Sequence, residues 1–258
     1  MKKVLATLIL AAAASQGAVE KDICLALDGS SSMGSANFDI QKNATADTIE
    51  NATFVPADGT VAISVIQFGS SAQLEVSRTV IDSPATATVV ANQIRAISYA
   101  DGFSTHTEAA ITLCQNSLVL GDSAKHIIDI STDGNPESLS DTITSADNAI
   151  TAGVNVINAL GTGPQVNPSQ LNQIVRPQPV SVIPDDGFVV LVPDFNSYEE
   201  ALQQKLSTEA GGVPPSGDPS GDPGTPQDSV SVPLGAFANL MLMMMFGLFG
   251  FAKLRRRS

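Results

Sequence analysis

Hydrophobic positions along the chain gather into short, nearly continuous runs separated by stretches of mixed character. Residues 23–27, 61–68, 127–130, 154–160 and 188–192 are such runs. Runs of this length without polar alternation predict strands buried on both faces, as in a parallel sheet. Residues 72–80 differ: they alternate, and they follow 61–68 after a Gly-Ser-Ser turn. That pattern predicts an antiparallel partner at the sheet edge. Helices are expected between the strands, over residues 36–51, 85–97, 105–120, 141–152, 168–175 and 196–209. The order βαββααβαβαβα predicts an α/β fold, a doubly wound, mostly parallel sheet with one antiparallel edge strand. Ligands of such sheets bind beyond the carboxyl ends of the strands, so chemistry is expected in the loops after the first and fourth strands.

The two ends follow other patterns. Lys2 and Lys3 precede an apolar run over 4–14 and the small residues Ser15, Gly17 and Ala18. This order predicts a secretory signal peptide over 1–18. Residues 234–252 carry no charge, and Lys253, Arg255, Arg256 and Arg257 follow. As a helix this segment would span about 28 Å, enough for a bilayer core, with the basic tail on the cytoplasmic side. Residues 211–231 are rich in Gly, Pro, Ser and Asp and predict a solvated linker. The body, 19–210, would lie outside the inner membrane.

Charge sharpens this picture. The net charge is −13, yet six of the 13 basic residues sit at the two ends, and all 26 acidic residues lie between Glu20 and Asp228. An acidic exported body with basic ends facing the cytoplasm is the expectation, and nucleic acid is disfavoured as a partner. Two cysteines exclude a disulfide-rich scaffold, and with two histidines they are too few for a convincing zinc site.

Three segments carry candidate chemistry. The first strand ends in Asp28-Gly29-Ser30-Ser31-Ser32-Met33. Ser104-Thr105-His106-Thr107 opens a helix. The fourth strand ends in Ser131-Thr132-Asp133-Gly134. Each alone could be a turn or a helix cap. Together, in this order on an alternating α/β pattern, they resemble the metal-ion-dependent adhesion site of von Willebrand factor A domains, over about residues 20–210. The resemblance assigns Asp28, Ser30, Ser32, Thr105 and Asp133 to the metal. It implies Mg²⁺, or Mn²⁺ or Ca²⁺, and a partner that offers an acidic residue. Mg²⁺ takes octahedral oxygen ligands. A donor set of hydroxyls with few carboxylates leaves the ion's charge under-neutralised and open to one more anionic oxygen. Gly29, Met33, His106 and Asn135 are expected at the rim, although a solvent-facing loop histidine is the plainer account of His106. His126, at a strand start, is expected to be structural.

Enzyme readings find little support. No G-x-S-x-G elbow surrounds Ser30, Ser31 or Ser32, and Gly29–Gly34 lacks the Gly-Lys-Ser/Thr ending of a phosphate-binding loop. The expectation is a non-enzymatic binding module on the bacterial envelope or surface. A matrix scaffold is the first alternative and a hydrolase the remote one. The body also resembles a group of exported bacterial A-type proteins of uncharacterised function, departing from it at Asp185-Asp186, where the group has Asp-Cys. Cys24 and Cys114 could pair, because export permits a disulfide, or could remain buried thiols. Finally, Val232-Pro233-Leu234-Gly235-Ala236 resembles the Val-Pro-Leu-Pro-Ala signal of exosortase substrates, with Gly235 in place of proline. That resemblance implies an anchor removed by an exosortase-like enzyme and release to the surface or matrix; a permanent anchor is the alternative.

Overall fold

A computed structural model describes residues 18–215. The chain divides after Pro214 into two units, and the described residues belong to the first apart from Pro215. The expected signal peptide up to residue 17, the expected linker beyond Pro215, the Val232–Ala236 motif, the expected membrane segment 234–252 and the basic tail lie outside the described residues. Among the described residues no helix is long and apolar enough to cross a membrane.

Among the described residues, six strands and six helices follow one another as the hydrophobic pattern predicts. They are β1 Lys21–Asp28, α1 Gly34–Glu50, β2 Val61–Phe68, β3 Ala72–Val80, α2 Pro84–Arg95 and α3 Thr107–Ser117. Then follow β4 Lys125–Thr132, α4 Leu139–Ala152, β5 Val156–Thr162, α5 Pro168–Ile174, β6 Val189–Val192 and α6 Tyr198–Ala210. The sheet order is β3-β2-β1-β4-β5-β6, and among the strand pairs of the described residues only β2–β3 is antiparallel. The switch in winding direction falls between β1 and β4. Their register, with Leu27 opposite Ser131, brings the loops after both strands side by side.

Burial explains the strand sequences. Every residue of β2 and β5 is buried, so neither strand needs polar alternation. Leu25, Leu27, Ile63 and Val65 pack under Phe38, Val90 and Leu206 on one face. Cys24, Ala26, Ile128 and Ile130 pack under Ala110, Ile111 and Ala146 on the other. The edge strand β3 stays largely accessible and carries Glu75 and Arg78, charges that discourage pairing with another chain.

Caps move several helix bounds from their expected places. Ser83 accepts from the Thr86 N–H with Pro84 in the first turn, so α2 starts at Pro84. Gly153, at φ 116°, ends α4 in the left-handed conformation, which delays β5 to Val156. Helix α3 begins at Thr107, not residue 105, because Thr105 and His106 belong to the functional loop.

A disulfide joins Cys24 on β1 to Cys114 on α3, so the oxidised alternative holds. A buried ionic group lies between α6 and the sheet. The Lys205 ammonium is fully buried, pairs with Asp129 on β4, and lies 3.0 Å from Glu209 Oε1. Asn158 on β5 donates to the same Glu209 oxygen at 2.8 Å. Burial, with Asp129 beside it, pushes the Glu209 carboxyl up to about 8. For Lys205, burial opposes the charged form, but Asp129 foremost, with Glu209, outweighs it and raises its pKa.

Candidate metal centre

The site grows out of the carboxyl end of β1. Asp28 is the last residue of the strand and is fully buried. Its Oδ1 accepts from the Ser30 N–H at 2.8 Å, an Asx turn that swings the chain toward α1. Its Oδ2 accepts from the Thr132 hydroxyl at 2.5 Å. The Ser32 hydroxyl lies 3.0 Å from Ser30 Oγ and donates to Asp133 Oδ1 at 2.8 Å. Asp28, Ser30, Ser32 and Asp133 are thus drawn together from loops that are distant in sequence.

Thr105 is delivered by a long strap. Between α2 and α3 the chain is pinned at successive points. Tyr99 Oη donates to the Ser30 carbonyl at 2.9 Å, and the Ala100 N–H donates to Gln67 Oε1 at 2.7 Å. Gly102 donates to the Gly29 carbonyl, Phe103 to Ser70 Oγ, and His106 to the Gly69 carbonyl. A Cβ on Gly102 would lie 2.5 Å from Ser70 N, so the close approach of these backbones requires glycine there. The strap ends with the Thr105 carbonyl accepting from the Glu137 N–H at 2.9 Å, which ties it to the loop after β4.

The side chains of these loops converge. A Cβ placed on Gly134 would lie 3.5 Å from Ser32 Oγ and 3.8 Å from Thr105 Oγ1. Two hydroxyls from different loops therefore face one small space beside Asp133. Burial pushes the Asp28 carboxyl up to about 6, against the hydrogen bonds from Ser30 and Thr132, and raises Asp133 as well. Neither carboxylate has a basic partner among the described residues. Two desolvated carboxylates without a counter-charge, ringed by hydroxyl oxygens, fit a small hard cation. Among the described residues no cluster of three or more His, Cys, Asp or Glu could hold an ion; the oxygens gathered here beside the two carboxylates are hydroxyls.

The expected rim is only partly there. Met33 is buried, 2% exposed, and packs in the core beneath α1. Gly29 is also buried, with Gln67 Oε1 filling the place its Cβ would take. Neither lies on the rim, because the turn after β1 folds back over the sheet. His106 Nδ1 lies 2.6 Å from Glu108 Oε1 on α3. Asn135 acts as a brace: its Nδ2 donates to the Gln165 carbonyl and its Oδ1 accepts from the Asn167 N–H. His126 is structural, its Nε2 2.8 Å from the Val119 carbonyl oxygen.

Several residues of the site escape motif reading. Thr132 holds Asp28, and Tyr99, Gln67 and Gly102 place the strap. Phe103, next to Ser104 and Thr105, is an aromatic side chain left 90% exposed. Only the Asp101-Gly102 pair was a signal available from sequence, as a turn dipeptide.

Solved structures share this fold. Proximal thread matrix protein 1 from the mussel byssus, with a zinc-occupied adhesion site, aligns with a TM-score of 0.60 at 16% identity, over 75% of this chain and 48% of that one. A von Willebrand factor type A protein from Catenulispora acidiphila aligns with a TM-score of 0.57 at 17% identity, over 75% and 43%. The pilus adhesin SpaC from Lactobacillus rhamnosus GG aligns with 0.59 at 13% identity, over 76% and 31%. The chain thus spans about half the length of the mussel protein. No curated protein matches it. The fold is that of von Willebrand factor A domains, and the match over residues 18–214 shows that the chain belongs to the family described as protein of unknown function DUF1194.

Proposed function

We propose that this chain is an exported A domain that binds a protein or matrix partner through a divalent cation held by Asp28, Ser30, Ser32, Thr105 and Asp133. The observation that carries the reading is the convergence of these side chains from three loops around two carboxylates without a basic partner. Ser30, Ser32 and Thr105 would offer neutral hydroxyl oxygens, while Asp28 and Asp133 would hold coordinating waters or contact the ion. Mg²⁺ suits that donor set, and Mn²⁺ or Ca²⁺ would be admitted by the same oxygens. Such an ion would supply an under-neutralised positive charge, and an acidic side chain of the partner would complete its coordination. Binding, not catalysis, is the fitting role. Among the described residues neither histidine is hydrogen-bonded to Ser30, Ser32 or Thr105: His106 meets Glu108 and His126 meets Val119. Export would follow from residues 1–18, and anchoring, permanent or removable, from residues 234–252.

The test is thermal unfolding of the purified chain in Mg²⁺, Mn²⁺ or EDTA, beside an Asp28→Ala/Asp133→Ala variant. An ion bound only to the folded state adds about 2.7 kcal/mol at 100 times its Kd. The wild type should shift upward and the variant should not. A wild type indifferent to millimolar ion would sink the reading.

A further inference from the structure

Beside the metal site, at the carboxyl ends of β4, β5 and β6, lies a cavity of about 390 Å³. Ser32 and Asp133 form one wall and belong also to the metal site. The lining continues through Thr162, the last residue of β5 and one register step beyond the Thr132–Gly161 pair, beside Asp133, to Asp194 and Phe195 following β6. The walls are held in place. Asn135 grips the loop at Gln165 and Asn167, and the Gly163 N–H donates to the Val192 carbonyl at 2.9 Å. The cavity is therefore formed before any partner arrives.

Two features point to an occupant. Thr162 is 1% exposed, yet its hydroxyl has no hydrogen-bond partner. A buried hydroxyl without a partner costs about 1–3 kcal/mol, a cost that a ligand atom would remove. The second feature is charge. Asp194 has no basic partner among the described residues, and no Lys or Arg lines the cavity. Six of the seven basic residues of the body are paired with carboxylates elsewhere: Lys42, Arg78, Arg95, Lys125, Arg176 and Lys205.

This sets a constraint on the partner. The metal site calls for an anionic oxygen, but the body that surrounds it is strongly acidic and would repel an anionic segment. A partner that places a cation next to its carboxylate satisfies both. Building on the metal-binding reading above, we propose that this cavity is a subsite for a lysine or arginine side chain close in sequence to the acidic residue that meets the metal. Asp194 receives the charged head and Thr162 one of its N–H groups. Ile40 and Phe195 cover the aliphatic stem.

The probe is a set of short labelled peptides in which one glutamate and one arginine are separated by zero to three glycines. Binding to the full chain is followed by fluorescence polarisation in Mn²⁺. The best peptide should bind at least tenfold more tightly than its counterpart with citrulline, the neutral isostere of arginine. Asp194→Asn should erase that preference, and Asp194→Lys should reverse it toward a peptide with a second glutamate in place of arginine. Thr162→Val should weaken the peptide while leaving the melting temperature of the free chain unchanged or higher, an outcome a merely structural threonine would not give. If citrulline peptides bind as well as arginine peptides and EDTA still abolishes binding, the subsite is overturned and the metal reading stands. If neutral hexoses displace the peptides and citrulline changes nothing, the cavity is a polyol site and the proposal fails. If no peptide binds to chain that Mn²⁺ stabilises, the proposal fails too. If EDTA and Glu→Gln peptides leave binding unchanged, it is the metal reading that falls.

Discussion

The Ser32 hydroxyl donates to Asp133 Oδ1 at 2.8 Å although 101 residues separate the two. This bond closes the gap between the loops after β1 and β4, at the place where the sheet changes winding direction. It holds both oxygens at one place, where a bound ion could draw on both. Ser32→Ala should therefore cost the apo chain little, below about 1 kcal/mol for one partly exposed hydrogen bond. The melting-temperature rise on adding Mn²⁺ should shrink sharply. Differential scanning fluorimetry with and without the ion separates the two effects, and an undiminished rise would remove Ser32 from the ligand set.

Gly134 offers a cleaner probe of the same space. A methyl group there would lie 3.5 Å from Ser32 Oγ and 3.8 Å from Thr105 Oγ1, which is ordinary contact. Gly134→Ala should fold with nearly wild-type stability in EDTA, yet it fills the space on which the hydroxyls converge. Metal affinity measured by calorimetry should fall by about tenfold or more, corresponding to about 1.4 kcal/mol. Unchanged affinity would place the ion elsewhere.

Much of this was legible in the sequence for physical reasons. Strands such as 61–68 are buried on both faces, so their apolar runs are unbroken and easily read. The three loop segments stand at strand ends and a helix start, where the α/β order alone brings them to one edge. Other parts depend on tertiary contacts that leave no local trace. Met33 sits next to the motif, but α1 turns it into the core. Thr132 reads as an ordinary strand threonine until its hydroxyl is seen on Asp28. Lys205 lies in a polar-looking helix, and nothing in YEEALQQKL announces a fully buried ammonium. The cavity beyond Asp133 is assembled from α1 and the ends of β5 and β6, so no single segment encodes it.

The Cys24–Cys114 disulfide links β1 to α3 across 90 residues. Closing a loop of that size in the unfolded chain gives about 4–5 kcal/mol by the chain-entropy argument, with measured values for native disulfides of about 2–5. The Cys24→Ala/Cys114→Ala chain should melt well below the oxidised wild type, and reduction of the wild type in denaturant should lower its refolded stability by a similar amount. Both cysteines are fully buried, so alanine also leaves some unfilled space. Equal melting temperatures in oxidised and reduced wild type would argue against any stabilising role of the bond.

The buried carboxyl of Glu209 predicts a pH dependence. It titrates near 4.5 when unfolded and, desolvated beside Asp129, at about 8 when folded. Between those values the folded chain holds a proton that the unfolded chain has lost. This group's contribution is therefore fully present below about 4.5 and is lost as pH rises toward 8. Glu209→Gln keeps an oxygen for the Asn158 amide and removes the titration. Urea unfolding across this range should show stability falling with pH more steeply in the wild type than in the variant. Parallel profiles would mean that Glu209 titrates normally.

Lys205 makes the strongest stability prediction. It is the only cation among the described residues that touches Asp129 and Glu209, and Asp129 is 2% exposed. Lys205→Met removes the cation and leaves a carboxylate buried without its counter-charge, which costs about 3–5 kcal/mol. Replacing the whole group with neutral side chains removes the desolvation penalty along with the attraction. Lys205→Met/Asp129→Leu/Glu209→Gln should then recover most of the loss, with the glutamine oxygen still accepting from Asn158. Chemical denaturation of the single and triple variants tests both halves of the argument. If the single variant loses less than about 1 kcal/mol, the ion pair does not hold α6 against the sheet. If the triple variant is as unstable as the single one, the loss lies in packing around residue 205, and the unpaired charge on Asp129 is not its cause.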